Sequence, residues 1–374
     1  MIKDRRKPRA RDLKLDLPGT PGPFNAITDV PGLTVGFTTK IESTRRPARP
    51  LPVRTGVTAI LPHATEREPV PVFAGIHRFN GNGEMTGSHW IEDGGSFLGP
   101  VLITNTHSVG VVHHAAIAWM LKRYAHVYGG TDHLWIMPVV TETYDGMLND
   151  INGQHVTEDD VFQALAAAQG GPVQEGNAGG GTAMICYGFK GGTGAASRVI
   201  EIAGARHTVG VLVQANHGQR DWLTICGIPV GRELGEGTIE EPKRERGSII
   251  AVIATDIPLA PHQLKRLARR AAIGIGRGGT PGGNSSGDIF LAFSTGNRLA
   301  MAHRAKPRFS IDIVNDEILD PVYLAAVEAV DEAILNALFA AETMGGTPAD
   351  RYTVRALPIA ETLAILARHG RLKA

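Results

Sequence analysis

Residues 239–259 read IEEPKRERGSIIAVIATDIPL. Six of the seven residues from 240 to 246 are charged, and all five residues from 249 to 253 are apolar. A strand with one wet face alternates apolar and polar side chains. An unbroken, β-branched apolar run bounded by polar sequence reads instead as a strand covered on both faces. That reading decides the fold class, because the sheet holding this strand needs a layer on each side. Between the solvated stretch and the buried one stand only Gly247 and Ser248, with no turn dipeptide.

Outward from this strand, short β-rich runs alternate with Gly/Pro turns through the first half. The expected strands there are 57–61, 101–104, 134–140, 184–189, 198–202 and 208–214. Helices are expected over 115–126 and 158–168, the second opened by Thr157 with Asp160 three residues on, close to a capping box. In the second half, 249–255, 289–294 and 309–314 read as strands. A helix follows Pro261, with Leu264, Leu267, Ala268, Ala271 and Ile275 on one face. A long helix starts at Asp320-Pro321 and runs to about Met344, and a last one covers 359–368. No internal repeat is visible, and the only composition break is 240–246. A layered α/β protein follows, although the pattern alone leaves α/β/α and α/β/β/α stacks both open.

The 374 residues suffice for one large domain or two ordinary ones. With 38 basic and 37 acidic side chains, the balance gives no nucleic-acid footprint. The first fourteen residues carry seven Lys/Arg, but no apolar h-region follows, and no run approaches a membrane span. This basic arm reads as a solvated tail sooner than as a partner-binding segment. The cytoplasm is the expected compartment. Cys186 and Cys226, each in an apolar run, read as buried free thiols and not as a disulfide framework.

Two motifs fail. The glycine-rich stretch 176–198 has neither GxxxxGK[ST] nor a GxGxxG placed between strand and helix, so tight backbone packing is the better reading. His89, Glu92, His107, His113 and His114 cluster in sequence without HExxH or HxxEH spacing, and structural or surface histidines are expected, with no metal.

Gly247-Ser248 carries chemistry. A serine hydroxyl just after glycine, between a solvated segment and a rigid strand, can attack the preceding carbonyl, and glycine offers no side chain to block it. An N→O acyl shift and hydrolysis would leave Ser248 as a new N-terminus. Its hydroxyl is then a nucleophile, and its α-amine, with a reference pKa of about 7.7–8.0, is a base usable near neutral pH. By itself the pair is weak evidence, since a loop-to-strand junction needs no cleavage to explain it.

Longer stretches give it weight: ERGSIIAVIATDIPLAPHQLKRLARRAAIGIGRGGTPGGNSSGDIFLAFSTGN, HRFNGNGEMTGSHWIEDGG, WIMPVVTETYDGMLNDING, VQEGNAGGGT, FKGGTGAASR and VQANHGQRDWLTI. Together they resemble the L-aminopeptidase/D-amidase-esterase and β-aminopeptidase family over nearly the whole chain from Asn25 onward. The resemblance implies a single self-processing domain cut before Ser248 into residues 1–247 and 248–374. It implies a four-layer α/β/β/α sandwich similar to N-terminal nucleophile hydrolases but differently connected, and a homotetramer of processed two-chain units.

It also implies site residues. Ser248 is the nucleophile and Gly247-Ser248 the autocleavage point. Ser286 and Asp288 in NSSGDIF match the pair that hydrogen-bonds near it; two apart, they would share a face if they lay on a strand. Asn216 in VQANHG matches an oxyanion-stabilising amide. Glu142 and Tyr144 in TETYDG are again two apart. Glu142 would hold a substrate ammonium, Tyr144 would donate near Ser248, and Trp135 would line the pocket. Ser285 stands where the family pattern leads one to expect Asn.

The implied activity is release of small N-terminal residues (L, D or β) from short peptides, amides or esters, without metal or organic cofactor. Two alternatives are an acyltransferase of the ornithine acetyltransferase type, which carries Thr at its cut, and a catalytically silent assembly homologue.

Overall fold

The apolar run is a strand of eight residues, Ser248–Thr255, buried along its whole length. The computed structural model that contains it describes residues 7–42, 51–128, 133–234, 247–301, 306–345 and 353–373. The charged stretch 240–246 lies outside the described residues. In chain order the elements are β1 (Thr34–Glu42), β2 (Val53–Leu61), β3 (Val72–Arg78), α1 (Ser88–Gly94), β4 (Ser96–Phe97), β5 (Val101–Asn105), α2 (Val109–Arg123), β6 (Val139–Thr143) and α3 (Glu158–Ala166). They continue with β7 (Ile185–Cys186), β8 (Phe189–Lys190), β9 (Gly192–Ile202), β10 (Ala205–Asn216), β11 (Ser248–Thr255), α4 (Pro261–Arg277), β12 (Ile289–Ser294), α5 (Asp320–Ala340) and α6 (Ile359–Arg368).

Two main sheets form, one ordered β1-β2-β5-β6 and the other β4-β3-β12-β11-β10-β9, beside a small β7-β8 hairpin. Three apolar clusters separate four layers. Ile249, Ala251 and Ile253 of β11 pack with Leu264, Leu267 and Ala271 of α4 and with Ala329 and Ala333 of α5. The alternate residues Ile250, Val252 and Ala254 pack instead with Ile60, Val101, Ile103 and Val139 of the other sheet. That sheet's outer face, including Val57, Ala59, Leu102 and Val140, is covered by Val112, Ala115 and Ala116 of α2 and by Val161 and Leu165 of α3. The order is therefore α/β/β/α, and β11 is apolar on both faces because one face meets helices and the other a sheet.

Each sheet contains one parallel pair, β5-β6 and β11-β12. A parallel pair needs a crossover, supplied by α2 in one sheet and α4 in the other. α3 is opened by the expected capping box, Thr157 accepting from the Asp160 N–H while the Asp160 carboxylate reaches the Thr157 N–H.

Several sequence expectations change. Residues 134–138 are not strand, and β6 begins only after Pro138, which has no N–H for a ladder. The expected strand 184–189 is split into β7 and β8, because Tyr187 and Gly188 both have positive φ. Residues 309–314 are not a strand despite their alternation, and Phe309 and Ile313 are exposed. α5 ends at Ala340, short of Met344.

The basic arm is also corrected. From residue 7 onward it is docked, with Ala10, Leu15 and Leu17 buried. Arg9 pairs with Glu175 at 2.7 Å and Arg11 with Glu332 at 2.9 Å. Buried Arg198 joins the second pair, reaching Glu332 at 2.8 Å and Glu328 at 3.2 Å. Charges so placed need partners, and the acids of α5 supply them.

Replacing Arg198 with Ala leaves two buried carboxylates short of their cation. We expect Arg198→Ala to lose about 3–5 kcal/mol of stability in chemical denaturation. Burial opposes the Glu332 charge, but Arg198, Arg11 and Asn25 together hold its pKa below the ordinary value. The stability it contributes is therefore present above the unfolded-state pKa and lost as pH falls through the lower folded value. The wild type should weaken across that acid range, and the variant should show a smaller dependence there.

Candidate active site

Ser248 is the first residue of β11, and Asn216 is the last of β10. The antiparallel register sets the two opposite each other. Gly247 leads in beside the Asn216 carbonyl and the His217 Cα, so close that an added Cβ would collide with the carbonyl. A residue with a side chain does not fit there without backbone movement.

The loop ahead of β12 meets the start of β11. Its Gly287 N–H donates to the Ser248 hydroxyl oxygen at 3.1 Å. Ser286 Oγ donates to Asp288 Oδ1 at 2.6 Å, and that same oxygen accepts from the Ile249 N–H at 3.0 Å. Ser286 and Asp288 are thus brought together next to Ser248, but by a direct bond within a loop and not by strand alternation. Both are buried. Burial pushes the Asp288 carboxyl pKa up, while Ser286, the Ile249 N–H and Asn80 pull it down.

Asn216 is held at both ends of its amide. Its oxygen accepts from the Ile185 N–H at 2.8 Å, and its nitrogen donates to the Tyr144 carbonyl at 3.0 Å. The second hydrogen of that NH₂ group is not used by either bond.

A cleft of about 300 Å³ opens at this point, lined by Asn82, Thr106, Glu142, Tyr144, Ser248 and Ser285. Glu142 and Tyr144 therefore share one cleft with Ser248, as their spacing suggested. The Glu142 carboxylate is buried and accepts from the Glu84 N–H at 3.1 Å and from the Thr106 hydroxyl. Burial raises its pKa, and those two donors lower it. Tyr144 is partly open at 39% exposure. Trp135 is not among the cleft residues. Its indole is 64% exposed and stands edge-on to Trp90, with ring centroids 5.7 Å apart.

The sequence reading missed Asn80, Asn82, Thr106 and Gly287. Asn80 Nδ2 donates to Asp288 Oδ2 at 2.9 Å, and Asn82 Nδ2 donates to the Ser285 carbonyl at 2.7 Å. The signal available was the alternation Asn80-Gly81-Asn82-Gly83, two amides on a backbone free to approach another loop closely. Among the described residues no group of three or more His, Cys, Asp or Glu side chains is placed to hold a metal. No helix there is long and apolar enough to cross a membrane.

A serine that accepts a backbone N–H, an adjacent Ser–carboxylate pair and a buried acid across the cleft form a constellation suited to acyl transfer from an amine-bearing substrate. Comparison with known proteins agrees. The model of peptidase family S58 matches residues 25–351. The chain is 49% identical over 382 residues to the β-peptidyl aminopeptidase BapA of Sphingosinicella microcystinivorans, covering 98% of this chain and 94% of that protein. The structure of the L-aminopeptidase D-Ala-esterase/amidase of Ochrobactrum anthropi, described as a variant of the Ntn hydrolase fold, superposes with a TM-score of 0.95 at 64% identity. It is covered in full, by 98% of this chain. A β-aminopeptidase from Burkholderia gives a TM-score of 0.87 at 46% identity, with 97% of this chain and 99% of that one covered.

The fold is a variant of the Ntn hydrolase architecture. The chain belongs to peptidase family S58 and is an aminopeptidase of the serine class. The acyltransferase and silent-homologue alternatives are not favoured.

Gly287 tests the geometry around Ser248. A Cβ there would run into the Asn82 carbonyl and come within 2.9 Å of Gly83 Cα. Gly287→Ala should displace the N–H from Ser248 and lower kcat for a p-nitroanilide amide at least tenfold, about 1.4 kcal/mol in the barrier. The cooperative unfolding transition should persist. Unchanged kcat would show that this contact is dispensable.

Proposed function

We propose that the chain cuts itself between Gly247 and Ser248 and then works as an N-terminal-serine aminopeptidase. In the first event Ser248 Oγ attacks the Gly247 carbonyl carbon, the peptide becomes an ester, and water hydrolyses it. Residues 1–247 then end in a carboxylate and Ser248 carries a free α-amine. The observation that carries this reading is the place of Ser248: it heads a buried strand, and it lines one cleft with the buried Glu142.

In turnover the same hydroxyl attacks the carbonyl carbon of the substrate's first residue. The α-amine of Ser248 takes the proton, directly or through the Ser286 hydroxyl, and returns it to the leaving amine or alcohol. Asn216 donates its unused N–H to the developing oxyanion, and Tyr144 donates near Ser248. Water then attacks the acyl-enzyme. Asp288 orients Ser286, and Glu142 holds the substrate ammonium. Substrates are short peptides, amides and esters with a small L-, D- or β-residue at the N-terminus; the names of the relatives support that range. The processed units act as a homotetramer in the cytoplasm, without metal or cofactor.

Denaturing electrophoresis with N-terminal sequencing tests the first event. Two fragments are expected, the smaller starting at Ser248, while Ser248→Ala should stay whole and inactive. A smaller fragment with any other first residue would refute the cut.

The amine site has its own test. Loss of a charge-assisted contact costs about 1.5–3 kcal/mol, so Glu142→Gln should weaken kcat/KM for free-amine substrates roughly ten- to a hundredfold. Since burial raises the Glu142 pKa, KM for such substrates should climb, as pH falls, earlier than an ordinary Glu near 4.5 would dictate. Equal hydrolysis of free and N-acetylated substrates would remove Glu142 from this role.

A further inference from the structure

The loop that follows β3 reaches the Asp288 carboxylate at the oxygen that Ser286 leaves untouched. Asp288 accepts three donors, and they divide unequally. Oδ1 takes the Ser286 hydroxyl at 2.6 Å and the Ile249 N–H at 3.0 Å, while Oδ2 takes only the Asn80 amide at 2.9 Å among the bonds described. The Ile249 donor is fixed by the β11 backbone. The Ser286 hydroxyl has to be free to hand a proton on. Asn80 is then the one side chain whose bond to Asp288 serves orientation alone.

The fold makes this bond separable from loop anchoring. The main chain already ties the loop to Asp288: the Phe79 and Asn80 N–H groups donate to its carbonyl at 2.9 and 3.3 Å. Two residues on, Asn82 Nδ2 donates to the Ser285 carbonyl at 2.7 Å. Removing the Asn80 side chain therefore leaves the loop attached but the carboxylate free to turn and easier to protonate, since a buried carboxylate that loses a donor rises in pKa.

We propose that Asn80 is a positioning residue of the reaction. It holds the Asp288 carboxylate ionised and rotated so that Oδ1 faces Ser286. The proposal rests on the role given above to Asp288. Asn80 touches neither substrate nor nucleophile and acts through Asp288 only.

Two variants test it. Asn80→Leu keeps approximate size and removes the donor. Its kcat for an amino acid p-nitroanilide should fall roughly tenfold, the worth of a hydrogen bond to a charged group. KM should change less than twofold, because the Glu142 end of the cleft is untouched.

Asn80→Asp gives a sharper readout. While protonated, the new carboxyl donates to Asp288 Oδ2 as the amide does; once ionised, it repels Asp288. The ratio of its kcat to the wild-type value should therefore fall as pH rises from about 5 to 9, whereas the Asn80→Leu ratio should run the other way, lowest at acid pH where Asp288, short of a donor, is more readily protonated. Where self-cutting is slowed, the rate of fragment formation over the same pH series gives the same ratio.

A flat ratio for Asn80→Asp overturns the proposal, whatever Asn80→Leu does, because a packing role has no reason to follow pH. If Asn80→Leu does not fold, the Asp variant alone decides. Asp288→Asn, measured alongside, separates the two failures. If that variant is impaired and the Asn80 variants are not, Asn80 alone loses its role; if it matches the wild type, the Asp288 reading falls and Asn80 falls with it.

Discussion

The ladder between β10 and β11 is the constraint on which the site depends. Its last rung sets Asn216 against Ser248, and every residue of β11 above it is buried. Along β11, odd-numbered residues meet α4 and α5, and even-numbered ones meet the other sheet. A slip of one residue would exchange the two sets, sending side chains sized for a helix interface into a sheet interface. Hydrophobic matching over six residues thus fixes where one hydroxyl stands. Ser248 needs no local device to hold its backbone, because the whole core holds it.

The two parallel pairs then bring the remaining chemistry to that rung. Asn105 ends β5 opposite Thr143, so Thr106 falls beside Glu142. In the other sheet Ile250 is opposite Ile289, so residues 286–288, just ahead of β12, fall beside Ser248. A crossover helix is what allows either pairing, since parallel strands cannot be joined by a tight turn. β3 runs antiparallel to β12, with Arg78 opposite Ile289. The chain leaving β3 therefore emerges where the residues ahead of β12 lie. Asn80, Asn82 and Glu84 consequently reach Asp288, Ser285 and Glu142 in turn, and one loop spans the site.

What the sequence could reveal follows the same division. The layered fold was legible in 249–253, because burial on both faces leaves a mark in composition, and α3 was legible in its capping box. β1, TVGFTTKIE, was not, because a strand with polar and half-exposed positions looks like loop. The reverse error came at 309–314, where alternation is present but no partner strand is, and a period of two records only a tendency. Ser248, Ser286, Asp288, Asn216, Glu142 and Tyr144 could be named through long motifs shared with a family. Asn80 could not, because its partner lies 208 residues away and nothing local in an Asn-Gly pair distinguishes a turn from a strut.

The two acids near Ser248 show how environment separates roles that residue type does not. Glu142 and Asp288 are both buried, and burial drives both pKa values up. Glu142 lines the cleft, and each of its oxygens accepts one donor. Each oxygen keeps lone pairs for an incoming ammonium. Asp288 is absent from the cleft lining, and its oxygens are engaged by Ser286, Ile249 and Asn80. An acid so enclosed has no room for a substrate cation, but it is well placed to direct the one hydroxyl it accepts. A place in the cleft wall suits the first acid to the binding role proposed for it, and the count of fixed donors suits the second to orientation.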